Sequence, residues 1–108
     1  MQLAVGRYPI YDITVRGNDF YGSPIGIHTG YWNTDKAGAV QEINITGNDI
    51  HDLVPSTAFS GGDDAIDIGS GAVGPVSGIA VTNNRIFKAG AVVVKGASGS
   101  RVADDNSR

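Results

Sequence analysis

The sequence predicts an all-β fold assembled from many short strands, on three observations. Glycine supplies 16 of the 108 residues, about twice its average share, which indicates frequent turns. No window longer than about ten residues keeps apolar side chains at the spacing of an amphipathic helix. Short apolar segments punctuated by glycine and asparagine recur instead, and they recur as copies of one another.

Three copies of one pattern organise the chain. Each copy has the form Ile-x-apolar-x-[Gly/Asn]-Asn-x-apolar, and the copies read ITVRGNDF from Ile13, INITGNDI from Ile43 and IAVTNNRI from Ile79. A second apolar strand follows each copy, as PIGIHTG from Pro24, DAIDIGSG from Asp64 and AVVVKGA from Ala91. A unit of this size has no partner for its apolar face, so we expect successive units to stack on one another.

The unequal spacing of the copies favours a parallel β-helix of about three to four coils. In such a fold the loops vary in length while the strands stay in register, whereas a rigid solenoid of identical coils requires equal spacing. A β-sandwich, the competing architecture, predicts hairpin turns but not near-identical segments aligned with one another. We predict that residues 1–108 form one domain or a fragment of a larger one, with a further copy beginning near Arg101.

Alternation along the strands assigns each side chain to a face of the stack. Inward columns are predicted at Ile13–Ile43–Ile79 and at Val15–Ile45–Val81. A corner position is shared by Asn18, Asn48 and Asn84, since asparagine tolerates the left-handed conformation of a sharp turn. Stacked asparagine side chains can also hydrogen-bond from coil to coil, so we expect a ladder along this corner.

The second strands place acidic and basic residues on one outer face. Their alignment predicts inward columns at Ile25–Ile66–Val92 and at Ile27–Ile68–Val94. His28 and Lys95 then lie on one outer face two coils apart, and Asp67 faces outward diagonally between them. Asp63 and Asp64 enter this face from the preceding turn, so three aspartates crowd the start of one strand.

Composition excludes several classes of function. A net charge of −3, with 8 scattered lysines and arginines, argues against a nucleic-acid partner. The absence of cysteine excludes a disulfide framework and a thiolate zinc site. No apolar run approaches the length of a membrane span, and glycine, arginine and proline interrupt the opening segment MQLAVGRYPIYD too often for a signal peptide. We predict neither a nucleic-acid nor a membrane partner, and the residues alone leave the localisation unassigned.

The repeat pattern resembles, over nearly the whole chain, the right-handed parallel β-helix proteins of the pectate-lyase-like superfamily. Members are mostly secreted enzymes acting on acidic polysaccharides, together with phage tailspikes, so the resemblance implies a right-handed coil, an extracellular location and a glycan partner. The local match is to polygalacturonases, whose Gly-Asp-Asp and following strand read here as GDDAIDIGSG from Gly62. Both aspartates are catalytic in that family, which implies catalytic roles for Asp63 and Asp64.

The resemblance is incomplete in the neighbouring coils. The family's Asn-Thr-Asp-Gly on the preceding coil reads here as Ser-Pro-Ile-Gly, with Ile25 in the place of the aspartate. The family's Gly-His-Gly on the following coil reads Ala-Gly-Ala around Gly90, without the histidine. The resemblance therefore implies a polysaccharide-degrading glycoside hydrolase with an incomplete catalytic set.

Two kinds of catalysis suit the acidic strand. Glycoside hydrolysis needs two carboxyl groups ~5 to 9.5 Å apart, which Asp63 or Asp64 could form with Asp67, assisted by His28. A polysaccharide lyase needs a base and a cation instead. Lys95 could then be the base, with the three aspartates as oxygen ligands for Ca²⁺, the only cofactor that the sequence suggests.

A non-enzymatic role is the third alternative, as a glycan-binding or structural β-helix resembling a tailspike. Tyr31 and Trp32 follow the strand of His28, and their rings could stack on sugars or simply pack over the adjacent loop. Asp63 and Asp64 also suit a turn that needs no catalytic role. His51 is expected on an exposed turn, and uncovered coil ends would permit a homo-oligomer.

Overall fold

The computed structural model describes residues 1–31, 38–54, 64–70, 74–95 and 97–102, and this part of the chain contains twelve β-strands and no helix. In chain order the strands are β1 (Gln2–Val5), β2 (Ile10–Arg16), β3 (Asp19–Tyr21), β4 (Ile27–Tyr31), β5 (Val40–Thr46), β6 (Asp49–His51), β7 (Ile66–Ile68), β8 (Val76–Thr82), β9 (Arg85–Phe87), β10 (Val92–Val94), β11 (Ala97–Ser98) and β12 (Arg101–Val102). The predicted all-β class is confirmed.

The strands form three parallel sheets. Sheet A has the order β1-β4-β7-β10, sheet B has the order β11-β8-β5-β2 with β12 also pairing with β8, and sheet C has the order β3-β6-β9. Every pairing between these strands is parallel, which contradicts the hairpins of the β-sandwich alternative. Parallel neighbours need a long connection, and here strands of the other two sheets supply it.

Each passage of the chain through the sheets forms one layer of a stack. Layer 1 comprises β1 to β3, layer 2 comprises β4 to β6, layer 3 comprises β7 to β9, and layer 4 comprises β10 to β12. The copies recognised in the sequence are therefore successive layers. Arg101 pairs with Ala80 and Val102 with Val81, so the tail joins sheet B and Arg101 takes the second position of the repeated pattern.

Sheet B has the register that the repeats predict. Its columns are Ile13–Ile43–Ile79 and Val15–Ile45–Val81. The members of both columns in layers 2 and 3 are completely buried. Burial of one such side chain contributes about 1.5–3 kcal/mol, so these columns are a main source of cohesion between layers.

The asparagine ladder lies at the corner between sheets B and C, as predicted. Asn18 Nδ2 donates to Asn48 Oδ1 at 3.2 Å, and Asn48 Nδ2 donates to Asn84 Oδ1 at 3.0 Å. The same two oxygens accept the backbone N–H groups of Asn18 and Asn48, each at 3.0 Å. Asn48 and Asn84 are only 1% exposed, so the ladder provides partners for polar groups that are shielded from water.

Left-handed backbone recurs at equivalent positions in successive layers. Immediately before the ladder asparagines, φ is 71° at Gly17, 67° at Gly47 and 57° at Asn83. The same conformation occurs within sheet B at Asp12, Glu42, Gly78 and Gly99, and after sheet C at Gly22, Asp52 and Lys88. Glycine, asparagine and aspartate adopt this conformation most readily, but Glu42 and Lys88 also adopt it at the equivalent positions of their layers.

Sheet A differs from its predicted register in one pairing. Strand β7 pairs with β10 as expected, with Ile66 beside Val92 and Ile68 beside Val94. Ile66 pairs with Ile27, however, and not with Ile25. The backbone N–H of Ile27 donates to the carbonyl of Ala65 at 3.0 Å, which holds β4 two residues away from the predicted alignment.

Candidate functional site

The outer face of sheet A carries a row of side chains that the register brings together. Gln2 pairs with His28, His28 with Asp67, and Asp67 with Val93. Strands in a sheet lie about 4.8 Å apart, so His28 and Asp67 are direct neighbours in adjacent layers. The predicted arrangement, with His28 diagonal to Asp67, is therefore corrected to a direct pair.

Asp67 is more enclosed than the sequence suggests. Alternation along β7 places this side chain on the outer face, yet it is only 6% exposed. Ser70 Oγ donates a hydrogen bond to Asp67 Oδ1, and the backbone N–H of Gly69 donates to Thr29 Oγ1 at 3.0 Å. The Asp67 carboxylate on the outer face of sheet A is thus shielded from solvent, and it holds the turn that follows β7.

His28 is half-buried at the edge of a pocket of about 230 Å³. The pocket is lined by Met1, Gln2, Ser23, Pro24, Ile25 and His28. Burial lowers the pKa of His28, and the positive charge of the N-terminus lowers it further, while a hydrogen bond with the backbone of Thr29 and the charge of Asp67 oppose the shift. The imidazole is therefore neutral at pH 7 and able to accept a proton.

Two further predicted site residues, Asp64 and Lys95, lie in the described ranges. Asp64 is half-buried, and its backbone carbonyl accepts the N–H of Gly26 at 3.1 Å. Lys95 is exposed, and no ion pair joins it to Asp67 within the described ranges. Asp63 and Trp32 lie outside the described residues.

Tyr31 is the last residue of β4, where its backbone pairs with Val5. Among the residues that the structure describes, no group of three or more histidine, aspartate or glutamate side chains could hold a metal ion. The predicted calcium ligands include Asp63, so that set is not assembled from described residues alone.

A second cluster, on the outer face of sheet C, was missed by the sequence reasoning. The His51 ring stacks between Tyr21 and Phe87, with centroids 5.4 Å and 4.8 Å away. His51 Nε2 lies 2.7 Å from Asp19 Oδ1, and His51 Nδ1 lies 2.7 Å from Asp52 Oδ2. His51 belongs to β6 and is half-buried, so its expected place on an exposed turn is wrong.

The repeat alignment contained a signal for this cluster. His51 stands three residues after Asn48, as Tyr21 stands after Asn18 and Phe87 after Asn84. Strands of sheet C pair in that register. Extending the asparagine column by three positions would therefore have placed three rings in one column.

The carboxylates set the protonation state of His51. Hydrogen bonds that the His51 ring donates to Asp52 and then to Asp19 raise the pKa of His51, and the bond from His51 lowers the pKa of Asp52. Both ring nitrogens face carboxylate oxygens, so the ring satisfies both only as a doubly protonated imidazolium. In that form His51 cannot act as a base.

In comparisons with known proteins, no family model, curated protein or solved structure matches the chain. No helix in the described part of the chain is long and apolar enough to cross a membrane. The chemistry of the two clusters is therefore the basis for a functional proposal.

Proposed function

We propose that the three sheets are the faces of a right-handed parallel β-helix and that the chain is a carbohydrate-active domain of the polygalacturonase-like glycoside hydrolase type. The layered parallel sheets and the continuous asparagine ladder support the fold. The resemblance of GDDAIDIGSG to the polygalacturonase motif supports the activity. The extracellular location and the acidic-polysaccharide partner belong to the same proposal.

The observation that carries this proposal is the direct pairing of His28 with Asp67 on the outer face of sheet A. Asp64 stands three residues before Asp67, and its backbone carbonyl accepts the N–H of Gly26, two residues before His28. In this proposal Asp63 and Asp64 supply the acid and base of hydrolysis. Asp67 accepts a hydrogen bond from Ser70 in the turn that follows β7, and in this proposal His28 contacts the substrate.

The pocket beside His28 suits one sugar unit of a polymer. Pro24 and Ile25 offer apolar surface, while Ser23 and Gln2 offer polar groups at its rim. Glycan sites commonly combine an apolar surface with a few hydrogen-bonding groups. A polysaccharide would therefore lie along the outer row of sheet A, with one unit held beside His28.

Hydrolysis can be tested by measuring reducing-sugar release from polygalacturonate and from a panel of neutral polysaccharides. We expect release by the wild-type chain and a loss of about 10²–10⁴-fold in Asp64→Asn, the range for removing a general acid or base. Asp49→Asn is the matched control, since Asp49 is an exposed aspartate of sheet C. No release by the wild-type chain from any substrate would refute the hydrolase proposal.

Non-catalytic glycan binding is the second candidate, and the incomplete catalytic set favours it. Ile25 stands where the polygalacturonase motif has an aspartate, and Asp67, which is 6% exposed and bonded to Ser70, is poorly placed to replace that carboxylate. Calorimetric titration with polygalacturonate oligomers distinguishes the two candidates. Binding without release, weakened by His28→Ala, supports a binding domain, whereas the absence of binding to any glycan rejects it.

The alternative of a Ca²⁺-dependent lyase can be tested with the same protein and uronate polymers. The backbone N–H of Lys95 donates to the carbonyl of Ile68 at 2.9 Å, so Lys95 lies one position beyond the last paired residue of β10. Lyase activity would appear as calcium-dependent ultraviolet absorbance of the unsaturated product. We expect Lys95→Ala to abolish that signal if Lys95 is the base, and a flat trace with every uronate polymer excludes the lyase.

A further inference from the structure

The outer face of sheet C joins three layers through one side chain. His51 belongs to layer 2, and its ring lies between Tyr21 of layer 1 and Phe87 of layer 3. The two rings are inclined to it by 24° and 8°, so the three form a nearly continuous stack. The Asp19 carboxylate, which His51 Nε2 contacts, also comes from layer 1. His51 of β6 is therefore the common partner of groups from β3 and β9, the strands on either side of it.

We propose that His51 is a pH-dependent clamp that holds the outer face of sheet C together across layers 1, 2 and 3. In its protonated form the ring donates to both Asp19 and Asp52, and its charge is shared between the two carboxylates. Loss of one proton leaves a single N–H donor, so one of these carboxylates must lose its hydrogen bond. This role is independent of the proposed glycan chemistry on sheet A.

Further charged groups, on the neighbouring strands and the residues after them, surround His51 and its two carboxylates. Lys88 Nζ lies 3.6 Å from Asp52 Oδ1, and its charge helps to keep Asp52 ionised. The Arg85 guanidinium lies 5.0 Å from the centre of the Phe87 ring. Asp49 pairs with both Asp19 and Arg85 in sheet C. The titratable and charged groups on this face therefore come from the three strands and the residues that directly follow two of them: Asp19, Tyr21, Asp49, His51, Asp52, Arg85 and Lys88.

The sign of the pH dependence follows from the two shifted groups. The pKa of His51 is raised above its ordinary value of 6.5, so its stabilising effect is complete below pH 6.5 and is lost as pH rises through the folded-state pKa. The pKa of Asp52 is lowered below 3.8, so its effect is present above pH 3.8 and is lost as pH falls through the folded-state pKa. The clamp is therefore strongest between these two ordinary values.

Proton NMR can follow the ring directly, because the chain contains only 2 histidines. We expect two ring C–H signals with opposite behaviour: His51 titrating above pH 6.5 and His28 titrating below it. The variant His51→Gln assigns the signals. A His51 midpoint at or below 6.5 would overturn the proposal.

Charge-neutral variants test the clamp without removing the ring. Asp52→Asn should lower the titration midpoint of the His51 ring. Asp19→Asn should lower it by a smaller amount, because the hydrogen bond to Asp52 raises the pKa of His51 more than the bond to Asp19 does. Asp12→Asn is the matched control, because Asp12 and Asp52 are both exposed aspartates with left-handed backbone, at φ 56° and 50°. A midpoint that is unmoved by both variants, or moved equally by the control, contradicts the proposal.

Thermal unfolding connects the titration to the fold. The Tm of the wild-type chain should exceed that of His51→Gln at about pH 5.5, and this difference should shrink by about pH 9. The difference in Tm between the wild-type chain and His51→Gln is compared at the two pH values, so pH effects that both proteins share cancel. If the difference is the same at both pH values, His51 contributes packing alone and the clamp is rejected.

Discussion

At the scale of single residues, Asn48 shows how a buried polar group can hold a stack together. Its Nδ2 donates to the carbonyls of Val15 at 2.9 Å and Thr46 at 3.2 Å, as well as to Asn84 Oδ1. Its Oδ1 accepts both the backbone and the side-chain N–H groups of Asn18. One side chain of layer 2 thus connects all three of the first layers.

Replacing Asn48 with alanine should destabilise the chain strongly. The change leaves buried partners unsatisfied in two adjacent layers, and we expect a loss of about 2–4 kcal/mol in the free energy of unfolding. Urea unfolding followed by far-ultraviolet circular dichroism measures this loss. Asn44→Ala is the control, because Asn44 is an exposed residue of the same strand, β5, and a comparable loss there would contradict a special role for Asn48.

The asparagine column and the ring column show which side-chain contacts could be predicted from the sequence and which could not. The asparagine column was predictable because identical residues mark its register in every layer. The ring column through His51 was not recognised, because tyrosine, histidine and phenylalanine share no letter, although their spacing from the ladder is identical. The burial of Asp67 depends on Ser70, which lies beyond the strand, and alternation within a strand carries no information about such a contact.

At the scale of elements, the left-handed corners define where each layer bends. Gly47 has φ 67° and a Cβ at this position would meet only Arg16 Cγ, at 3.8 Å. Gly6 has no positive φ, and nothing lies within 4 Å of the corresponding Cβ position. The two glycines therefore differ in backbone conformation and scarcely in available space.

This pair of glycines gives a test of the corners. Gly47→Ala should reduce the free energy of unfolding by about 1 kcal/mol, since an L-residue is strained in left-handed backbone. Gly6→Ala should be neutral or slightly stabilising, because alanine restricts the unfolded chain. Urea titration of both variants measures the difference, and equal effects would show that the corner conformation is unimportant.

The register of sheet A shows why one element was misplaced. Ile25 and Ile27 are two residues apart, so a shift of two exchanges one for the other while keeping the inside–outside alternation of β4. Hydrophobic pattern cannot distinguish these two alignments. The hydrogen bonds from Gly26 and Ile27 to the segment before β7 decide between them, and no sequence motif marks those bonds.

At the scale of the whole molecule, the layers differ in how completely they are paired. Strand β5 pairs with β2 on one side and β8 on the other, whereas β2 pairs with β5 alone among the described strands. Ile43 of β5 is fully buried, while its column neighbour Ile13 of β2 is only partly buried. The interior of the stack should therefore be more stable than its first layer.

Hydrogen exchange can measure this difference in stability between the interior and the first layer of the 108-residue chain. Backbone amides of β5 should exchange at least ~10-fold more slowly than those of β2, because a strand paired on both sides opens only with its neighbours. Mass spectrometry of peptic fragments resolves the two strands. Uniform protection across both would indicate that the stack unfolds only as a unit.

The partly exposed columns of layers 1 and 4 also bear on association. Ile13 of sheet B in layer 1 and Val92 and Val94 of sheet A in layer 4 are only partly buried, whereas their column neighbours are fully buried: Ile43, Ile66 and Ile68. Unpaired strand edges with apolar columns favour pairing with another strand. The expectation of a homo-oligomer through the coil ends remains a prediction, which sedimentation equilibrium over a range of concentrations would test.

The constant corner between sheets B and C has a consequence for protein engineering. Two residues join these sheets in each of the first three layers, ending in Asn18, Asn48 or Asn84, whereas the connections to and from sheet A differ in length between layers. Natural length variation is thus confined to the connections on either side of sheet A. Foreign peptides should be grafted there, since an insertion at the ladder corner would displace an asparagine from its column and interrupt the alignment of every strand that follows.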